Sequence, residues 1–387
     1  MLKLAQMSFI SNGRLFFLLS LLMPVLSSAQ GLYELPANLK NQIQGRIEKG
    51  WHLSTVIGIV TKSGTSFYGF GQQSLVDSKS PDEHSLFAIA SLTKPLTATL
   101  LMDMDHRGEI DINSPLADFL PTEIEVPTYD GKPILLSHLL AHSSGLPREP
   151  YNMDFSLGQQ RYAKYTHAQM YHFLSDVTLE HAIGSDTTYS NLGYALLGLV
   201  VELYSDRSFE SLVVEHIANV LDMPDTRITL SDAQRSRLAQ GVIDGKAVVQ
   251  ADMGLWTAMG SFYSTADDLV HFLKANIGIM ESPLEEAIAS SQIARAPHFE
   301  LADGQLSYAW EIIMSGETGN PIHYFKGQVD GYVAFIGFDR SKKIGVVMLN
   351  SGRRYFSDIP LHILDSTYPI LDPPANSDWI GKQVSGN

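Results

Sequence analysis

An α+β fold with an inserted helical region is predicted by three features of the sequence. β-rich runs lie near the amino end, helical patterns fill a long middle stretch, and β-rich runs return in the carboxyl third. Strands at both ends imply one sheet assembled from both. Residues 30–110 and 246–387 then make the sheet domain, and residues 111–245 are the insertion. A chain of 387 residues is long enough for such a bipartite unit.

From the amino end, Lys3 and Arg14 precede an apolar run over residues 15–26, and Ser27-Ser28-Ala29 follows. A basic start, about a dozen apolar residues and small residues before the cleavage point describe a secretory signal peptide ending at Ala29. The run falls short of the roughly 20 residues of a membrane span. Residues 55–60 and 66–70 flank Ser63-Gly64 and read as a hairpin. Residues 87–90 lead to Ser91, and a helix is predicted over 92–107. Pro95 is tolerated in its first turn, where its missing donor would be unpaired anyway, and Gly108 ends it. Further helices are predicted over 135–141, 168–175, 192–204 and 209–220. Ser264-Thr265-Ala266-Asp267 caps a helix running to 275. Strands are predicted over 306–314, 322–325, 331–338 and 343–349, with Asp339-Arg340-Ser341-Lys342 turning the last hairpin. The tail from Asp372 is polar and expected to be poorly ordered.

Composition narrows the function classes. With 44% hydrophobic and 18% charged residues the chain is of ordinary globular type. It has no cysteine, which removes disulfides, thiol chemistry and cysteine lipidation. A net charge of −15 repels nucleic acid and anionic membranes, which sets nucleic-acid binding aside; the partner expected from the motifs below is a small-molecule or peptide-like substrate.

Ser91-Leu92-Thr93-Lys94 carries the chemical case. On a helix, positions i and i+3 share a face, so the hydroxyl and the amine can meet. At the amino end, free backbone N–H groups and the positive end of the dipole suit a developing oxyanion. A lysine becomes a useful base when burial or a neighbouring cation lowers its pKa from about 10.4 towards about 7–8. About one Ser-x-x-Lys is expected by chance from this composition, and the chain has one. Tyr189-Ser190-Asn191, the only Tyr-x-Asn, opens the helix predicted over 192–204. A phenol beside a lysine can take and return a proton, and an amide two residues on can hold a substrate carbonyl.

These two motifs resemble those of the class C β-lactamase family of serine hydrolases, which includes D-alanyl peptidases and esterases. Residues 87–90 before the serine, 107–111 after its helix, 136–147 and 260–269 are also similar to recurring family segments. The resemblance runs from about residue 53 to 350. It implies an antiparallel β-sheet flanked by helices with an all-helical insertion, the β-lactamase/transpeptidase-like fold. The active site would lie in the cleft between the parts, with no metal or cofactor.

The third family motif departs from its pattern of Lys or His, any residue, then Gly, with Gly-Tyr or Gly-Phe four residues later. Aligning on Gly327 and Gly331-Tyr332 puts Phe325 where the cation belongs and Lys326 in the middle position. Strand alternation then points Lys326 away from the cleft unless a bulge re-aims it. Gly327 allows close approach, and the backbone N–H of Gln328 is the expected partner of that of Ser91 in an oxyanion hole. Recognition of a substrate carboxylate is what this departure affects; if Phe325 faces the cleft, neutral esters are expected to be preferred. His138 and His142 have the i, i+4 spacing of metal ligands, but no Glu follows His138 and no third ligand is evident. They, and His323, read as structural histidines.

The expected function is therefore that of an exported serine hydrolase, periplasmic or secreted. Ser91 is the nucleophile, Lys94 and Tyr189 relay its proton, and Asn191, Lys326, Gly327 and Gln328 face substrate. An ester or peptide-like amide, with a cell-wall fragment among the candidates, is the expected substrate. The rival readings are a β-lactamase with shifted specificity and a penicillin-recognising protein that binds without turnover.

Overall fold

The computed structural model describes residues 32–250, 252–354 and 356–371; the leader over 1–29 and the tail from Asp372 lie outside them. Eight strands form one antiparallel sheet. They are β1 (His52–Thr61), β2 (Gly64–Gly71), β3 (Ala296–Pro297), β4 (Gln305–Leu306), β5 (Glu311–Met314), β6 (Pro321–Val329), β7 (Tyr332–Asp339) and β8 (Ile344–Gly352). Their spatial order is β2-β1-β8-β7-β6-β5-β4-β3. β8 therefore pairs with β1, Val56 opposite Leu349 and Ile59 opposite Val346, and joins the two ends of the chain in one sheet. The β6–β7 hairpin turns at Asp330-Gly331, with Gly331 at φ +81°, and pairs Val329 with Tyr332. At the β7–β8 turn, Asp339 Oδ1 accepts from the backbone N–H of Ser341 and of Lys342.

Side-chain alternation divides the core between the two faces of the sheet. Phe325, Ala334, Ile336, Phe338, Val347 and Leu349 share a core with the helices of the site face, while Tyr324, Val333, Phe335, Val346 and Met348 belong to the core on the other face. Five helices matter here: α1 (Ala37–Glu48), α2 (Thr93–His106), α3 (Asn191–Ser205), α4 (Ala266–Ile277) and α5 (Asp358–Leu364). α4 packs on β1, β7 and β8, and α2 and α3 pack beside one another. α4 starts where the sequence predicts: Thr265 is its N-cap and accepts from Asp268 N at 3.1 Å. α1 and α5, which no local sequence pattern marks, cover the opposite face. Leu39 and Ile43 of α1 and Ile359 and Leu361 of α5 are buried there, each worth about 1.5–3 kcal/mol. Arg46 of α1 grips Asp358 of α5 through two hydrogen bonds of 2.9 and 2.6 Å, both side chains being buried.

Two elements differ from expectation. The strand predicted over 306–314 is interrupted after Leu306: Ala309 takes a left-handed φ of +62°, and the chain re-enters the sheet at Glu311. Burial of the Trp310 ring against Phe272 and Phe338 accompanies the break. The helix predicted over 209–220 is α-helical only over Phe209–Val213, then becomes a π turn over Val214–Ala218 in which Asn219 N donates to Val214 O at 2.8 Å.

Candidate active site

Ser91 sits in a 3-10 turn (Ala90–Leu92) that runs directly into α2. The turn is tight enough to hold Ala90 at φ +49°, a conformation costly for a residue with a Cβ. Ile89 N donates to Phe262 O at 3.0 Å and Phe262 N to Thr93 Oγ1 at 3.3 Å, so the 260–269 segment braces both sides of the turn. One helical turn on, the fully buried Lys94 brings its Nζ to 3.1 Å from Ser91 Oγ. The same nitrogen donates to Asn191 Oδ1 at 3.1 Å and to Met259 O at 2.7 Å.

Tyr189 reaches this point from the other side, its hydroxyl donating to Ser91 Oγ at 2.9 Å. Its loop is stitched to the 136–147 segment and the residue that follows it. Ser190 N donates to His142 Nδ1 at 3.1 Å, Ser190 Oγ to Pro147 O at 2.8 Å, and Asn191 N to Arg148 O at 3.0 Å. Ser190 is also the N-cap of α3, accepting from Gly193 N at 2.9 Å. Asn191, in the first turn, therefore keeps its amide for the site. The carbonyl accepts from Lys94, and Nδ2 donates to Glu149 Oε1 at 3.4 Å.

The electrostatics push the two titratable partners of Ser91 apart. Burial, then the charge of Arg148, drives the Lys94 ammonium well below the ordinary lysine range, against the pull of Glu149. Burial raises the Tyr189 phenol to about 12 despite its hydrogen bond to Ser91 and the nearby charge of Arg148. A neutral Lys94 can donate its two hydrogens to Asn191 and Met259 and leave its lone pair for the Ser91 proton. A neutral Tyr189 is a donor. The arrangement can thus accept a proton from Ser91 on one side and deliver one on the other.

The third-motif residues lie on β6. A Cβ on Gly327 would fall 2.4 Å from Ile89 O and 3.0 Å from Ser91 N, so only glycine lets this strand approach the turn. Phe325 is buried with its ring stacked beside Tyr189, centroids 6.5 Å apart. Lys326, on the alternate face, pairs with Glu311 at 3.2 Å and is not among the residues lining the cleft beside Ser91. Gln328 does line it. Its partner in the hairpin register is Val333, one step from the Val329–Tyr332 pair at the turn. In the alternating ladder its N–H then points away from β7.

Several residues of the site carried no signal in the sequence reading. Glu149 accepts from Arg161 Nε at 3.2 Å and from the Tyr162 hydroxyl at 2.5 Å; burial would raise its pKa, but these bonds hold it below the usual carboxylate range. Arg148 lies with its guanidinium carbon 4.8 Å from the Tyr189 ring centre. Behind Tyr189, Phe299 packs edge-on at 5.6 Å, and the adjacent His298 bonds Glu311 at 3.1 Å. The two spaced histidines are engaged in backbone contacts: His138 Nδ1 accepts from Leu135 N and His142 Nδ1 from Ser190 N, both at 3.1 Å, and the His142 ring lies tilted against that of Tyr189, centroids 4.7 Å apart. His323 Nε2 lies 3.1 Å from Gln292 O. Among the described residues, no group of three His, Cys, Asp or Glu side chains is placed to hold a metal, and no helix is long and apolar enough to cross a membrane.

The family model described as Beta-lactamase matches residues 39–361. The D-alanyl-D-alanine-carboxypeptidase/endopeptidase AmpH of Escherichia coli (strain K12) is 32% identical over 208 residues, 54% of this chain and 53% of that protein. The chain thus spans about half the length of that relative. A β-lactamase of Yersinia enterocolitica is 23% identical over 345 residues, 80% of this chain and 85% of its own. The solved β-lactamase/D-alanine carboxypeptidase from Yersinia pestis, complexed with citrate, matches with a TM-score of 0.72 and 21% identity, covering 85% of this chain and 98% of that one. At that identity the likeness speaks for the antiparallel sheet with its flanking helices alone.

Proposed function

Because the chain belongs to the β-lactamase family, we propose that it is an exported serine hydrolase that forms an acyl-enzyme on Ser91 with an ester or peptide-like amide. The observation that carries this reading is a single oxygen, Ser91 Oγ, within reach of both Lys94 Nζ at 3.1 Å and the Tyr189 hydroxyl at 2.9 Å. Neutral Lys94 takes the Ser91 proton as Oγ attacks the carbonyl carbon. The N–H groups of Ser91 and Gln328 receive the oxyanion, and Asn191 holds the substrate carbonyl. Tyr189 protonates the departing oxygen or nitrogen and regains a proton through Lys94. Water then attacks the acyl carbon, passes its proton back along the same path and frees Ser91. The leader pattern over residues 1–29 supports export.

The test is peptide-level mass analysis of the mature protein after treatment with a fluorophosphonate, which traps activated serines. An adduct confined to Ser91 and absent from Ser91→Ala is the expected result. Folded protein that takes up no label would replace this reading with that of a binding protein.

A further inference from the structure

The third motif brings no cation to the cleft: Phe325 stacks beside Tyr189, and Lys326 is held by Glu311. A cation nevertheless stands at the cleft, which Gln328 and Val329 of β6 also line. Arg148 is exposed and lines the same cleft as Ser91. Among the described residues no carboxylate pairs with it, whereas its cleft neighbour Arg161 is taken by Glu149. Its backbone is pinned because Arg148 O accepts from both Asn191 N and Leu192 N, at 3.0 and 3.1 Å. The guanidinium carbon lies 4.8 Å from the Tyr189 ring centre. A guanidinium carries its N–H donors around its rim, in the fork that binds a carboxylate bidentately, and no hydrogen bond to another side chain takes them among the described residues. The ring beneath it carries the hydroxyl that touches Ser91 Oγ, so Arg148 borders the side from which the departing group collects its proton.

We propose that Arg148 is the specificity-determining residue of this cleft, binding a carboxylate carried on the departing group in place of the cation missing from the third motif. The proposal rests on the acyl-enzyme reading above. It reverses the preference for neutral esters that Phe325 alone would imply.

The experiment compares two esters of N-acetylglycine, one with 3-hydroxybenzoate as leaving group and one with its methyl ester, each rate divided by its spontaneous hydrolysis. The wild-type protein is expected to favour the carboxylate in kcat/KM by about tenfold or more, the range of a charge-assisted pair. Arg148→Gln should bring the ratio near unity, and Arg148→Lys should restore part of it. Arg148 also depresses the Lys94 pKa, so both rates fall together by that route, and the ratio isolates recognition. Fluorophosphonate labelling of Ser91 is measured in the same preparations. Labelling with no carboxylate preference, or a preference that survives Arg148→Gln, overturns the role of Arg148 and leaves the hydrolase reading standing. Absence of labelling in the wild type overturns both.

Discussion

Lys94 Nζ lies 3.1 Å from Ser91 Oγ while two carbonyl oxygens, Asn191 Oδ1 and Met259 O, take its other contacts. Three acceptors around a buried nitrogen would suit an ammonium, yet burial and Arg148 together lower its pKa. The amine must be neutral to accept a proton, so activity rises with pH as Lys94 deprotonates, and the acid limb lies below the ordinary lysine range. Arg148→Gln removes one depressing charge and should move that limb to higher pH. An acid limb that stays where it is in the variant would contradict the assignment of Lys94 as base. Lys94→Met should slow acylation by about 10²–10⁴-fold.

In the proposed mechanism Tyr189 acts on the departing group. With its pKa raised to about 12, the phenol stays protonated over the working range and serves as a donor. A poor leaving group such as an amide nitrogen needs that proton, whereas an activated phenolate does not. Tyr189→Phe should therefore cost about 10²-fold or more on an anilide and far less on a nitrophenyl ester of the same acid. Equal losses on both would point to a positioning role instead.

Gly327 tests the approach of β6 to the turn that carries Ser91. The backbone carbonyl of Ile89, 2.4 Å from where a Cβ would stand, cannot swing aside as a side chain could. Gly327→Ala must push the strand away from Ser91, and with it the Gln328 N–H. The expected result is a folded protein whose fluorophosphonate labelling falls by about 10²-fold, the worth of one oxyanion donor. Unchanged labelling would remove Gln328 from the proposed oxyanion hole.

How much of this was legible in the sequence depended on whether the relationship was local. Ser91 and Lys94 share a helical face by spacing alone, and strand alternation separates Phe325 from Lys326 without any tertiary knowledge. The capping pattern at Thr265 likewise marked the start of α4. Glu149 meets Asn191, and is held there by Arg161 and Tyr162, only once the loop following 136–147 folds against the start of α3. Nothing in their order announces it. The break at Ala309 was hidden because a run of apolar residues reads the same whether or not one of them turns left-handed. α1 and α5 meet through the Arg46–Asp358 pair, 312 residues apart in the chain, which no local pattern can expose.

The fate of Lys326 yields a stability prediction. Glu311, buried between Lys326 and His298, would have its pKa raised by burial, but Lys326 and then His298 bring it from 4.5 down to about 2. A carboxylate depressed in the folded state stabilises the fold above its unfolded pKa, and that contribution is lost as pH falls through the folded one. Glu311 should therefore contribute on the order of 3 kcal/mol at neutral pH, lost between pH 4.5 and about 2. His52 and His142, whose pKa values burial lowers from 6.5 to about 3, destabilise the fold as pH falls below 6.5, because the unfolded chain then takes up protons that the folded one does not. The two effects separate in Glu311→Gln, which retains the histidines. Thermal melts should show the wild type more stable at pH 7, with the gap to the variant closing below pH 4.5. A gap that stays constant down to pH 2 would mean that the Lys326–Glu311 pair contributes by packing and not by charge.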